Sequence, residues 1–333
     1  MNGTYIRSKL SGVGPARNGT YTNQEIVDHL KELQNAIAQE VCGSGEDSLM
    51  RADAIVSTIE ERVSALGLRD SACFDAFKRD MQDLGREIAL TISGLNGEAK
   101  GFRALKPLEF DNDTHVLRNV CLKSDDGETE IDAVIVASYG IFIVEMKGCR
   151  KPIVITEDGF FQKADNPDYQ YPLGERMCCK EALLRKAAGA GPDIPVYQVL
   201  FLVNDSDLTD RFGKIMTANR NTIVYKVRSY AKGSDQLSSD RVNQLVDEIE
   251  SSRIEARYPC SLDCERLVDN LANLMDQIEL AEQAKAERFS KTELARQTKV
   301  NSLLAVAAGL AAGVAGCAMG ILGPLAVNAI RAR

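Results

Sequence analysis

The chain has 333 residues, a formal net charge of −8 and 44% hydrophobic residues, so it is long enough for about two domains with packed cores. Because Lys and Arg supply most of the affinity for phosphates, this charge excludes a protein whose whole surface binds nucleic acid non-specifically. Any nucleic-acid contact must therefore be local.

The first twenty residues and the cysteines both indicate an intracellular protein. Residues 1–20 contain no apolar run of the kind found in secretory signals, so we expect no export by that route. The nine cysteines are an odd number without the spacing of a disulfide framework, and only two histidines are present to complete a zinc site. We expect reduced thiols and a cytoplasmic location.

The sequence predicts a flexible lead over residues 1–22 and a helical bundle over residues 23–94. Thr22 and Glu25 form a capping-box pattern that begins the first helix. Apolar side chains then recur at helical spacing in three stripes: Ile26, Leu30, Leu33 and Ile37; Ala52, Val56, Ile59, Val63 and Leu66; and Phe74, Phe77, Met81, Leu84 and Ile88. A glycine follows each stripe as the expected helix end: Gly43, Gly67 and Gly94.

Two apolar runs in the middle of the chain, ETEIDAVIVAS and IFIVEMKG, predict a β-hairpin, because only Ser138, Tyr139 and Gly140 separate them. Side chains two residues apart on a strand point to the same face, so Glu145 and Lys147 emerge side by side. The hairpin brings Asp132 close to them. Two carboxylates and one ammonium group are therefore expected to converge.

This combination suits metal-assisted hydrolysis of phosphodiesters. Carboxylate oxygens are the ligands that Mg²⁺ takes, together with water and substrate phosphate, and a lysine can orient water or neutralise developing negative charge. The bare Glu-x-Lys pattern is not specific, since it occurs again at Glu98 and Lys100. Taken alone, Glu145 and Lys147 also fit two solvated positions on an edge strand.

Three segments in order give the pattern a context: NGEAKGFRAL, NVCLKSDDGETEIDAVIVASYGIFIVEMKG and GFFQKADNPDYQYPLGERMCCKEALLRK. In their order and spacing they resemble the nuclease-related domain, NERD, a branch of the PD-(D/E)xK nuclease superfamily. The later run VYQVLFLVND is similar to the strand that follows in such domains. The resemblance covers roughly residues 95–230, and the predicted nuclease core is residues 95–235. Ile131 stands where the superfamily name has Pro.

The resemblance implies an α/β fold with a restriction-endonuclease-like core, a mixed sheet flanked by helices. It implies that Asp132 and Glu145 bind Mg²⁺ or Mn²⁺ and that Lys147 is the catalytic base or a charge stabiliser. It further implies that Glu98 is an acid on the first helix and that Gln170 lies on a helix facing the site. For Gln170, a surface hydrogen bond is an equal alternative.

Basic residues after the hairpin are the candidates for phosphate contacts. We expect this role for Arg150, Lys151, Lys163 and Lys180, with Arg176, Arg185 and Lys186 as further candidates. The alternative is that they are ordinary solvated charges.

After residue 235 the helical pattern returns. Residues 236–300 are predicted to form a helical region and stalk, with one apolar seam at Leu267, Leu271, Leu274 and Ile278. Residues 282–300 are strongly charged, with Glu287 and Lys291 at a favourable helical spacing, which is typical of an exposed helix.

The carboxy-terminal segment 301–333 contains an uncharged, Gly- and Ala-rich run. Residues 303–323 have the length needed to cross the hydrocarbon layer, and a glycine face suited to close helix packing recurs at Gly309, Gly313, Gly316 and Gly320. This predicts a single carboxy-terminal span that leaves the rest on the cytoplasmic side, and a homo-oligomer. The alternative is a buried helix of a soluble oligomer.

Together these patterns favour a membrane-tethered, metal-dependent nuclease that acts on DNA, with RNA open as a second substrate. The alternative function is a non-catalytic NERD module that binds nucleic acid or serves as a scaffold on a membrane-associated oligomer.

Overall fold

The computed structural model describes residues 2–43, 51–124, 127–232 and 236–330, with the backbone alone for residue 124 and for 307–330. The helices are α1 Gly3–Leu10, α2 Asn23–Cys42, α3 Ala52–Ala65, α4 Ala72–Leu105, α5 Leu173–Ala187, α6 Ile223–Ser229, α7 Ser239–Ser252 and α8 Cys264–Ile330. The longer strands are β2 Thr114–Ser124, β3 Gly127–Ala137, β4 Gly140–Lys147, β7 Asn166–Tyr171, β8 Val196–Leu202 and β10 Met216–Asn219. The short strands are β1 Thr20–Tyr21, β5 Ile153–Ile155, β6 Phe161–Lys163, β9 Leu208–Asp210, β11 Arg253–Ile254 and β12 Tyr258–Pro259.

The chain forms two compact units. The helical unit comprises Met1–Lys9, Ser57–Lys78 and Val268–Arg333, and the sheet unit comprises Leu10–Val56 and Arg79–Leu267. Helices α3, α4 and α8 contribute to both units, whereas the sequence division assigns residues 23–94 to one contiguous bundle.

The helical unit is held by apolar packing and by contacts of its first helix. Ile6, Ile59, Phe74, Phe77, Leu271 and Leu274 are all fully buried. The Gly3 amide donates to Asp276 Oδ1 at 2.6 Å, and Arg7 Nε donates to Asp269 Oδ1 at 2.9 Å. The amino-terminal segment expected to be a flexible lead therefore contains a helix with a buried side.

The centre of the sheet unit is a mixed six-stranded sheet in the order β10-β8-β4-β3-β2-β11. Strands β2, β3 and β4 are antiparallel neighbours, while β8 pairs with β4 and β10 in parallel. The predicted hairpin is confirmed, since β3 and β4 pair from Ala137↔Gly140 to Ala133↔Val144. A second sheet has the order β7-β6-β5-β9, and β1 pairs with β12.

Both faces of the six-stranded sheet are covered. On one face, Val134 and Ile143 pack in a core with Met177 of α5 and Leu245 of α7. On the other face, the core is formed by residues from the end of α4, from the interior strands and from α6: Leu105, Ile135, Phe142, Phe201 and Ile223. The expected α/β class, a mixed sheet flanked by helices, is thereby confirmed.

The helix ends agree with the sequence except at one glycine. Thr22 and Glu25 form the predicted capping box, and Gly43 ends α2 with a φ of 61°. Gly94 does not end a helix, because α4 continues to Leu105. This continuation matters for the site, since it carries Glu98 on helical backbone.

For the predicted membrane span at residues 303–323, the structure describes side chains only up to residue 306. The backbone of this segment continues α8, but the packing of Gly309, Gly313, Gly316 and Gly320 lies outside the described residues. Within the described part of the chain, no helix combines the length and apolar character needed to cross a bilayer.

Candidate functional site

The predicted convergence of Asp132, Glu145 and Lys147 is present at the open end of the β3–β4 hairpin. Because Ala133 pairs with Val144, the next residues outward, Asp132 and Glu145, lie opposite each other. The backbone amide of Met146 donates to Asp132 Oδ2 at 2.6 Å, which fixes that carboxylate beside β4. Lys147 Nζ donates to Glu145 Oε1 at 2.6 Å.

A third acid from α4 faces the same space. Glu98, Asp132, Glu145 and Lys147 all line a cavity of about 400 Å³. Helix α4 comes near the end of β4 here, since a Cβ added at Gly97 would lie 3.9 Å from the Cα of Gly148. Glu98 thus lies on the cavity wall beside the end of β4.

Two residues for which the sequence predicts no contact with Glu145 complete its surroundings. Lys180 of α5 donates to Glu145 Oε2, and the hydroxyl of Tyr171 donates to Oε1 at 3.3 Å. Lys147 Nζ also lies 4.4 Å from the centre of the Tyr171 ring. Both oxygens of Glu145 are thus engaged by cationic or hydroxyl donors.

The charges of the site are strongly perturbed by burial and by one another. Burial and the neighbouring charge of Glu145 raise the pKa of Asp132 to about 7. Burial also favours the neutral form of Glu145, but the ammonium groups of Lys147 and Lys180 outweigh it and lower the pKa of Glu145. Burial opposes the charge of Lys147, yet Glu145 raises its pKa, so this lysine is held as a cation.

Asn119 links the site to α4. Its Nδ2 donates to Glu98 Oε2 at 3.4 Å, and its backbone has a φ of 49°, which is unusual for a residue within a strand. The pKa of Glu98 is raised by burial and by the nearby charge of Glu130. Carboxyl groups with perturbed pKa values that line one cavity, as Glu98, Asp132 and Glu145 do, are typical of functional sites.

Comparison with known families supplies the decisive observation, because residues 93–203 match the model of the nuclease-related domain. This segment is similar to nuclease-related domains. No curated protein and no solved structure matches the chain. The matched residues contain the hairpin, the end of α4 with Glu98, and α5 with Lys180, so every group described at the cavity lies within the domain.

Gln170 occupies a different element from the one predicted. It lies exposed on strand β7, where it pairs with Gln162, because α5 begins only after Pro172. The neighbouring Tyr171 is the residue of this strand that reaches Glu145. The prediction of Gln170 as a helical residue facing the site is therefore wrong.

The predicted phosphate-binding residues of the nuclease-related domain separate into two groups. Arg150 and Lys151 are exposed, and Lys151 lies 3.4 Å from Asp165. Lys163 lines the cavity with its Nζ 4.8 Å from the ring centre of Tyr169. Lys180, in contrast, is buried in its ion pair with Glu145 and does not form part of a solvated phosphate-binding surface.

The position of Lys180 in the sequence indicates that its side chain is buried, although its residue type alone suggests a surface cation. Met177, Lys180 and Leu184 are spaced as one helical stripe, and all three are buried. A lysine on the apolar stripe of a helix requires a buried partner. Tyr171 carries no comparable signal, because its approach to Glu145 depends on the pairing of β6 with β7.

The donor set fits a divalent cation in number and kind. Asp132 and Glu145 supply the one or two carboxylates that Mg²⁺ usually takes from a protein. Within the described residues, no group of three or more His, Cys, Asp or Glu side chains is arranged to hold a metal ion. The remaining ligands of such an ion would have to be water, backbone oxygen or substrate phosphate. All eight cysteines in the described residues are free thiols.

Proposed function

We propose that the nuclease-related domain is a metal-dependent nuclease that hydrolyses phosphodiester bonds in DNA. The observation that carries the proposal is the convergence of Asp132, Glu145 and Lys147 on one cavity within this domain. Two carboxylates beside a lysine held as a cation supply the groups that phosphodiester hydrolysis needs.

Asp132 and Glu145 are the residues that would hold Mg²⁺ or Mn²⁺. When bound, the ion polarises phosphoryl oxygens and makes a bound water a better nucleophile. The hydrogen bond from the Met146 amide positions Asp132 for this role, and the antiparallel register places Glu145 opposite it. Asp132 binds a cation only when it is ionised, since a protonated carboxyl group is a poor ligand.

Lys147 is suited to stabilising negative charge. Its side chain is 26% exposed and lines the cavity, while Glu145 favours its charged form. An ammonium group at the cavity wall can neutralise charge that develops on the phosphorus centre during attack. Of the two roles expected for Lys147, the geometry favours charge stabilisation over proton abstraction.

Lys163 and Tyr169 provide a contact surface for the nucleic acid at the cavity. Both line it, and Tyr169 is 42% exposed. A lysine can bind phosphate and an exposed tyrosine can stack on a base, which together give affinity without sequence specificity. Arg150 and Lys151 extend this surface as exposed cations beyond the end of β4.

A gel assay tests the proposal. The purified protein is incubated with Mg²⁺, Mn²⁺ or EDTA and with circular, linear and single-stranded DNA, or with RNA. We expect DNA cleavage that requires the metal and is lost in Glu145→Gln, whereas the exposed-lysine variant Lys106→Gln cleaves like the wild type. No cleavage of any polymer with either metal would exclude the nuclease, and cleavage of RNA alone would change the substrate.

One observation favours a second candidate, a non-catalytic module that binds nucleic acid or acts as a scaffold. The two lysines already neutralise Glu145 without any metal ion, which is also what a purely structural buried ion-pair cluster does. In that case the same samples would bind DNA without cutting it, and EDTA would not change the binding.

Attachment to a membrane through residues 303–323 and self-association through the glycine face are further parts of the proposal. They rest on the uncharged run and its glycine spacing. Fractionation of the full-length protein tests them independently of nuclease activity.

A further inference from the structure

The two lysines that contact Glu145 reach it from different sides. Lys147 lines the cavity and is 26% exposed, whereas Lys180 projects from the core-facing stripe of α5 and is only 8% exposed. Lys147 can therefore turn towards a ligand in the cavity. Lys180 is enclosed by the packed face of α5, with Met177 and Leu184 buried on either side of it along the helix.

The charges of this cluster are balanced when Asp132 is ionised, since two carboxylates face two ammonium groups. A divalent cation on Glu145 would add two positive charges to this neutral, largely buried group. Coulomb repulsion between the ion and an ammonium group a few ångströms away is strong where water is scarce. Lys147 relieves that repulsion by moving into the cavity, but the enclosed Lys180 does not have this route.

We infer that Lys180 is a positioning residue that fixes the carboxylate of Glu145 through Oε2 and competes with the divalent cation for it. This inference rests on the proposed metal-dependent function. Its contribution is twofold: the hydrogen bond from Lys180 sets the orientation of Glu145, and its charge keeps the intrinsic affinity for the ion low. A further negative group in the cavity, such as a substrate phosphate, then favours binding of the ion at this site.

Direct titration of the full-length protein with Mn²⁺, followed by electron paramagnetic resonance in the absence of nucleic acid, tests the inference. Lys180→Gln removes the charge but keeps a donor for Glu145, and Lys180→Arg keeps the charge. Lys106→Gln removes an exposed lysine charge beyond the end of α4 and is the matched control. We expect Lys180→Gln to bind Mn²⁺ about tenfold more tightly than the wild type, and the other two variants to stay within about twofold.

A purely structural role for Lys180 gives a different result. It would lower the thermal unfolding temperature of Lys180→Gln and leave the affinity for Mn²⁺ unchanged or weaker, which would overturn the inference. If Lys180→Gln is unfolded by itself, competition predicts that Mn²⁺ restores a cooperative unfolding transition by replacing the lost positive charge. Failure of Mn²⁺ to do so would also overturn it.

The same titration separates this inference from the proposed function. A wild-type protein that cleaves DNA with Mn²⁺, together with a Lys180→Gln variant of wild-type affinity, contradicts only the role of Lys180. A wild-type protein that neither binds Mn²⁺ nor cleaves any nucleic acid contradicts the nuclease itself, and tighter Mn²⁺ binding by Lys180→Gln without cleavage supports the role of Lys180 alone.

Discussion

Asn119 lies opposite Asp132 across β2 and β3, between the paired positions Arg118↔Ala133 and Val120↔Ile131, and it has a φ of 49°. A left-handed residue in a strand is costly unless the surroundings require it. Here the side chain donates to Glu98 Oε2 at 3.4 Å, so the unusual backbone conformation accompanies a contact with the acid of α4.

Substitutions at Asn119 separate the backbone cost from the side-chain role. Both Asn119→Gly and Asn119→Ala remove the donor to Glu98, but only glycine adopts positive φ without strain. We expect the glycine variant to have an unfolding free energy about 1 kcal/mol higher than the alanine variant, measured by urea denaturation. Equal stabilities would mean that the backbone conformation does not persist in solution.

Replacing the three converging residues should abolish cleavage with different effects on stability. We expect Asp132→Ala, Glu145→Ala and Lys147→Ala each to lower the cleavage rate by at least about a hundredfold in single-turnover assays. Glu145→Ala also leaves the buried Lys180 without its partner, so it should lose about 3–5 kcal/mol of stability. Cleavage at the wild-type rate by Lys147→Ala would contradict its assigned role.

For Glu145 the structure rules out the alternative of a solvated position on an edge strand, since β4 lies between β3 and β8. The side chain is only 5% exposed, so loss of activity in Glu145→Ala alone would not distinguish chemistry from unfolding. Glu145→Gln, which keeps the shape of the side chain, is the better activity variant, and circular dichroism of both variants provides the control.

The exposed cations beyond β4 should determine the salt dependence of DNA binding. If Arg150, Lys151 and Lys163 each contact one phosphate, their combined replacement by Gln should flatten the slope of log K against log salt by about 2.7 for duplex DNA. Fluorescence anisotropy across a salt series measures this slope. Lys106, an exposed residue beyond the end of α4, is the control, and an unchanged slope in the triple variant would show that these cations are only solvated.

The β3–β4 turn offers a stability test with an internal control. Gly140 and Gly127 both have a φ of 136°, but a Cβ at Gly140 would lie 2.8 Å from the carbonyl oxygen of Pro195, whereas no atom lies within 4 Å at Gly127. Both alanine variants should be destabilised, and Gly140→Ala by at least about 1 kcal/mol more. Equal losses in chemical denaturation would mean that β4 and β8 separate easily at this end.

The carboxy-terminal prediction is tested by fractionation. Deletion of residues 301–333 should release the protein from membranes in a soluble and still active form. Gly313→Leu with Gly320→Leu should weaken self-association, measured by cross-linking, while membrane retention is kept. If the full-length protein remains in solution without detergent, the segment belongs to a protein interior.

Local patterns predicted the hairpin and the capping box because each depends on neighbouring residues. Apolar runs separated by a short turn determine β3 and β4, and Thr22 with Glu25 determines the start of α2. Gly94 was taken for a helix end because glycine is a poor helix former, but propensity is a weak guide where tertiary packing sustains a long helix.

The missed parts of the site depend on tertiary contacts. Because most lysines are exposed, residue type alone predicts a solvated Lys180, although its position on the stripe with Met177 and Leu184 indicates burial. The resemblance implies a helical Gln170, whereas α5 begins only after Pro172. The approach of Tyr171 to Glu145 requires the pairing of β6 with β7, which no local pattern specifies.

The balance of charge among Asp132, Glu145, Lys147 and Lys180 also determines how fast a polyanion can reach the site. A cluster without net charge, on a chain with a net charge of −8, exerts little long-range attraction on nucleic acid. For the proposed nuclease we therefore expect encounters at the rates of unsteered association, about 10⁵–10⁶ M⁻¹s⁻¹, which vary less with salt than those of strongly basic nucleic-acid-binding proteins. Selection among nucleic acids would accordingly take place after contact, through residence time at the cavity.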